Sequence, residues 1–214
     1  MFFFDPTMVL VIPGFILAVW AQFKVKATFS KYSDTPSRSG MTADQVARDI
    51  LRQGGVAVEV EPVSGNLTDH YDPRDQTLRL SDSVYGSRSL AAIGVAAHEA
   101  GHAFQHAHRY IPLSLRTNIV PVANFGSWLG MSLFFIGFFF QSGLLIQLGI
   151  VFFSFAVLFG LVTLPVEFNA SSRAIQILRN GGYLTAEEIP AARKVLNAAA
   201  WTYVASALVA MLHL

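Results

Sequence analysis

Long apolar runs bracket one extended polar stretch in this chain. Apolar positions dominate residues 8–23 (lengthened by Phe2–Phe4 across Asp5), 118–140, 144–164 and 195–214. Crossing the hydrocarbon core takes about 20 apolar residues. Each run therefore predicts a membrane-spanning helix, the first being short and interrupted by Pro13. Only Gln141, Ser142 and Gly143 separate the second and third runs, which predicts a tight hairpin. The first run lacks the basic flank of a signal peptide and reads as a retained anchor.

The polar stretch carries patterns of its own. Thr42-Ala-Asp-Gln45 is a capping box that starts a helix. Val46, Ile50 and Leu51 give that helix an apolar face, and Gly54-Gly55 suits its left-handed stop. Val56, Val58 and Val60 alternate with Ala57, Glu59 and Glu61, which predicts a strand, as does Leu78-Arg-Leu80. Asp69-His-Tyr-Asp-Pro73 reads as a turn between them. A longer helix is expected from Ser87 or Ser89 to His106. The chain thus divides into an N-terminal anchor (1–23), a polar segment (24–117), a membrane hairpin (118–165), a second polar segment (166–194) and a C-terminal span (195–214). The expected fold is a mainly α membrane protein, with four transmembrane helices and a small α+β unit.

Composition agrees with a membrane protein. Hydrophobic residues make up 53% and charged residues 14%, against about 25% charged in a soluble domain. The net charge of +1 gives no reason to expect a nucleic-acid partner. With no cysteine, thiolate metal sites, disulfides and cysteine nucleophiles are excluded. All 15 Lys and Arg fall in the two polar segments, which four spans put on one side of the bilayer. The positive-inside rule makes that side cytoplasmic, with both termini outside.

Chemistry concentrates at His98-Glu-Ala-Gly-His102. On a helix, residues four apart share a face, so both imidazoles reach one cation. Glu99 is offset by about 100° and reaches a water on that cation as general base. Such a motif arises by chance roughly once in 200 chains of this make-up, so its surroundings matter. Ala96, Ala97, Ala100, Gly101 and Ala103 make a small-residue helix that other elements can approach closely. Gly101 costs about 1 kcal/mol relative to Ala inside a helix, and close packing would explain that cost.

A catalytic zinc usually takes three protein ligands. Glu167, after Pro165 where the third apolar run ends, is the expected third, because an ionisable group beside a span marks function. Its alternative is a solvated carboxylate at a helix start. Arg173 is a candidate for stabilising developing negative charge, or a positive-inside anchor. Tyr203 is a candidate oxyanion donor, or a packing residue. His70, Tyr71 and Asp72 are candidates for binding substrate or a second cation, or form a solvated turn. His106 and His108 read as flanking residues.

With these residues in view, the chain resembles the YugP-like membrane zinc metallopeptidases of bacteria. The resemblance rests on 67–73, 78–81, 95–105, 165–171 and 195–204, and covers nearly the whole chain. It implies a zinc-dependent endopeptidase of the bacterial cytoplasmic membrane with one catalytic zinc. The implied active site faces the cytoplasm, and the implied substrate is a peptide or membrane protein at the bilayer. The layout is also similar to the HtpX-like and CAAX prenyl protease gluzincins, which implies a zincin-like unit around the HExxH helix. In those proteins an Asp four residues after the Glu ligand steadies a ligand histidine. Here that position is Ser171, and Asn169 stands two residues after Glu167, so both are candidates for supporting the ligands. The same analogy makes the Leu78–Leu80 strand the edge that pairs with substrate. Two other readings compete: a site-2-type intramembrane protease, and a non-catalytic metal-binding membrane scaffold.

Overall fold

The computed structural model describes residues 8–214, in two compact units. Six helices and three strands follow in the order α1 (Met8–Ser33), α2 (Ala43–Gln53), β1 (Glu59–Val63), β2 (His70–Asp72), β3 (Thr77–Ser81), α3 (Leu90–Ala107), α4 (Ile111–Phe139), α5 (Gly143–Asn180) and α6 (Ile189–Leu212). Three of the helices, α4, α5 and α6, are long and apolar enough to cross a membrane. The N-terminal run is not among them. The described part of its apolar stretch, Met8 to Phe23, spans only about 24 Å, short of the about 30 Å core. Lys24, Lys26 and Lys31 follow within α1. The expected lengthening by Phe2–Phe4 lies outside the described residues.

The first unit comprises the start of α1, α4, the first part of α5 and the end of α6. Large apolar side chains face outward on it: Trp128 is 68% exposed and Phe139 79%. Apolar surface of that kind is stable in lipid and not in water. The hairpin between α4 and α5 turns through Gln141 at φ 52. It is close-packed because glycines let backbones touch: a Cβ on Gly130 would lie 2.8 Å from the Gly149 carbonyl oxygen.

The second unit contains residues 22–110 and 167–201. α2 starts as expected: the Gln45 side chain accepts the Thr42 N–H at 3.0 Å, while the Thr42 hydroxyl donates to Asp44. It stops at Gly54, with Gly55 left-handed at φ 67. Val46, Ile50 and Leu51 from its inner face join Leu78 and Leu80 of β3, Ile93 of α3, Leu178 of α5 and Ile189 of α6 in one core. The sheet order is β1-β3-β2, with β1 parallel and β2 antiparallel to β3.

Two expectations need correcting. Residues 70–72 are not a turn but strand β2, with Tyr71 opposite Leu78. The chain reverses one step later, where Asp72 accepts the Arg74 N–H at 2.9 Å and Gln76 adopts φ 54. The Leu78–Leu80 strand is not a sheet edge either. β3 is the middle strand, with both flanks paired, so only β1 and β2 offer free edges. The first strand also starts later than Val56, at Glu59.

Candidate metal centre

α3 is capped by Ser89, whose hydroxyl accepts the Ala92 N–H at 3.1 Å. Its small residues serve close approach. Ala91, Ala92, Ala96, Ala97, Ala100 and Ala103 are fully buried. A Cβ at Gly101 would stand 2.8 Å from the Ala170 carbonyl oxygen and 3.3 Å from its Cα. Only glycine lets α5 come so near, and Ala170 lies three residues after Glu167. The backbone contact therefore delivers that carboxylate to the histidines.

Glu167 does not begin a helix. α5 runs unbroken through Pro165 to Asn180, and the Glu167 side chain is buried. Its Oε2 lies 3.2 Å from His98 Nε2 and 3.6 Å from His102 Nε2. One ligand atom from each of the three residues falls within 4.8 Å of the others. Donors about 2.0–2.2 Å from one shared zinc fit that spacing. Glu99, one residue on from His98, is buried yet forms no hydrogen bond or ion pair among the described residues.

The two histidines are oriented by neutral groups. Ser171 Oγ lies 3.1 Å from His98 Nδ1. His102 Nδ1 lies 3.0 Å from Gln105 Oε1, Gln105 Nε2 donates to Asn169 Oδ1 at 3.0 Å, and Arg173 Nε donates to the same oxygen at 2.8 Å. The order of this chain is forced from its far end. A guanidinium can only donate, so Asn169 presents its carbonyl. Gln105 must then donate to Asn169 and turn its own carbonyl to His102. His102 therefore carries its proton on Nδ1, and its Nε2 lone pair faces the Glu167 carboxylate. Electron-rich atoms aimed at one another in a buried site call for a cation between them. The donor set thus fits a metal ion. In the metal-free geometry a proton takes part of that role. Burial would lower the His102 pKa, but the Glu167 hydrogen bond and the charges of Glu99 and Glu167 raise it above the ordinary value.

Of the expected residues, His98, His102, Glu167, Asn169, Ser171 and Arg173 come together. Arg173 serves the His102 relay. Gln105 was not singled out from the sequence, although its place three residues after His102 on one helix face is a readable signal. His70 lies apart, its Nδ1 bonded to the Thr68 carbonyl oxygen at 2.8 Å. Tyr71 pairs with His106 Nδ1 at 2.8 Å, which occupies that imidazole and ties β2 to α3. Asp72 is engaged by Arg74. His108 bonds back to the Phe104 carbonyl oxygen at 2.7 Å. Tyr203 belongs to the first unit, on α6.

Apolar helices in one unit and a two-histidine, one-carboxylate cluster in the other are the attributes of a membrane metalloprotein. Comparison with known proteins narrows the class. The chain belongs to the family described as "Putative neutral zinc metallopeptidase", whose sequence model matches residues 7–214. It is 53% identical over 199 residues to a Bacillus subtilis (strain 168) protein named "Putative membrane protease YugP", across 92% of this chain and 88% of that protein. No solved structure matches the chain.

Proposed function

We propose that the protein is a zinc-dependent membrane endopeptidase of the bacterial inner membrane, hydrolysing peptide bonds at its cytoplasmic surface. The observation that carries this reading is the convergence of three donor atoms within 4.8 Å, with the neighbouring Glu99, a residue 8% exposed, making no hydrogen bond or ion pair among the described residues. His98, His102 and Glu167 would hold one catalytic zinc in the gluzincin manner. Zinc there supplies Lewis acidity, which brings the pKa of water toward about 7 and polarises a carbonyl. Glu99 leaves α3 about 100° from His98. Its carboxylate accepts the proton of the attacking water and passes it to the leaving amine. A purely structural site would need no such group. α3 is not one of the helices apolar enough to cross a membrane, which disfavours the intramembrane reading. A fourth span requires Phe2–Phe4 to lengthen the N-terminal run; with it, both termini would lie outside and both polar segments inside. The substrate class is an extended peptide or a membrane-protein segment at the bilayer.

The direct test uses the full chain in neutral detergent with an unfolded protein substrate. One zinc per chain is expected. A chelator should abolish cleavage, and zinc should restore it. Cleavage that survives complete metal removal would refute the proposal.

The relay behind His102 gives a second expectation. Arg173→Met frees Asn169 to rotate, so Gln105 can present its amide N–H to His102 and select the wrong tautomer. Zinc affinity should fall about 10–100-fold, the range typical for loss of a ligand's partner, as read by chelator competition. Asn169→Asp keeps an acceptor for both donors and should hold zinc as the wild type does.

A further inference from the structure

The second unit holds a second polar feature. A cavity of about 400 Å3 lies between the last turns of α5 and the first turns of α6. Arg179 from α5 and Arg193 from α6 line it, together with Gln176, Asn180 and Asn197, and no acidic residue does. Elsewhere in this unit Arg38, Arg48, Arg52, Arg74 and Arg79 each sit against a carboxylate, while Arg88 and Arg109 do not among the described residues, and neither of those two lines this cavity. Among the described residues Arg179 and Arg193 form no such pair. Two uncompensated guanidiniums beside three side-chain amides present donors alone from the arginines and donors at choice from the amides. That is the chemistry of an oxyanion site.

The lining also changes character along the helices. Phe168 on α5 lies next to the apolar run, and Arg179 lies three turns beyond it. On α6, Arg193 comes first and Leu196 follows as the apolar run begins. The groove is basic at its far end and apolar where both helices enter their membrane stretches. We propose that it binds the phosphate of an anionic phospholipid, with the headgroup on Arg179 and Arg193 and the glycerol end toward Phe168 and Leu196. Basic pockets between membrane helices on the cytoplasmic side recognise such headgroups. A free phosphate would use the guanidiniums but would have no use for the apolar end.

Ser171 belongs to the groove lining and also meets His98 Nδ1 at 3.1 Å. A bound headgroup would therefore adjoin the hydrogen bond that orients His98, a link that rests on the proposed function. Lipid occupancy rests on the proposed cytoplasmic placement of this unit but not on zinc or cleavage.

The experiment counts lipids on the full chain by native mass spectrometry, after exchange into detergent containing phosphatidylglycerol or phosphatidylcholine. Wild type is expected to retain one phosphatidylglycerol and no phosphatidylcholine. The Arg179→Gln/Arg193→Gln variant should bind phosphatidylglycerol about 30-fold more weakly, from the loss of two charges near the surface. Arg48→Gln/Arg52→Gln, which removes two paired arginines, should bind like wild type. Both replaced groove residues are exposed, so helical content by circular dichroism should not change. Equal phosphatidylglycerol retention by the groove variant overturns the proposal. So does displacement of the lipid by millimolar inorganic phosphate, which would make the groove a free-phosphate site. Zinc content is read in the same samples, so lipid failure with zinc intact is distinguishable from failure of the metal site.

Discussion

Glu99→Gln should lower kcat by about 10^3-fold, within the range expected for removing a general base, while leaving one zinc per chain. That factor corresponds to about 4 kcal/mol of transition-state stabilisation. Zinc should remain because Glu99 is outside the three-residue donor cluster. The amide is close in size to the carboxylate, so the packing of α3 should survive. Making no hydrogen bond or ion pair among the described residues, the Glu99 carboxylate can accept a proton from water, and a glutamine has no such capacity at neutral pH. The check is single-turnover cleavage together with metal analysis on the same preparation. A variant that cleaves at the wild-type rate would remove Glu99 from the mechanism. A variant that loses zinc would make it a structural residue.

Much of the fold was legible because local signals and packing agree. The apolar runs at 118–140, 144–164 and 195–214 match α4, α5 and α6 to within two residues at their C-terminal ends, α5 continuing well beyond its run. Gly54-Gly55 stops α2 where expected, and Ser89 caps α3. The misreadings lie where tertiary contacts outweigh local preference. Asp69 through Pro73 has turn composition, yet Asp69 accepts from Ser81 N–H at 2.7 Å and from its hydroxyl at 2.9 Å. That half-buried anchor pins the segment to β3 and extends it as β2. Strand order leaves no mark on a strand's own sequence, so the residues of β3 give no check on the edge position that the analogy implies. The unbroken course of α5 through Pro165 was hidden for a related reason. Proline is a local stop signal, but packing on both sides of it holds the helix together.

The candidate site was legible in its donor cluster and less so in the groups around it. His98, Glu99 and His102 announce themselves by spacing, and Glu167 by its place beside an apolar run. Gln105 does not, because a glutamine three residues after a ligand is ordinary in any helix. Its meaning appears only when Asn169 and Arg173, over 60 positions away, complete the chain of donors. Arg173 shows the same limit in reverse. Its charge suggested a role toward developing negative charge, whereas its Nε is committed to Asn169. Both imidazoles have neutral partners, Ser171 for His98 and Gln105 for His102.

Glu167→Ala should abolish tight zinc binding, with a loss beyond the about 100-fold that removing an outer partner costs. The buried carboxylate supplies one of three donors, and two imidazoles alone leave the site without its only anionic ligand. The same substitution should change how the metal-free protein responds to pH. In the metal-free wild type the His102 pKa is raised above its unfolded value, burial notwithstanding, by Glu167 and Glu99. A group with a raised folded pKa contributes stability that is fully present below its unfolded pKa, about 6.5, and is lost as pH rises through the folded value. Removing Glu167 takes away its hydrogen bond to His102 and its charge, so burial is opposed only by the Glu99 charge and the Gln105 hydrogen bond. Thermal unfolding of the metal-free proteins should therefore separate wild type from Glu167→Ala more widely near pH 6 than near pH 9, at either side of the histidine range. The zinc-loaded wild type should show the opposite slope, losing stability toward acid as protons compete for the imidazoles. Full zinc occupancy with normal cleavage in Glu167→Ala would end the case for this carboxylate as a ligand. Parallel pH profiles for the two metal-free proteins would show that Glu167 does not govern His102.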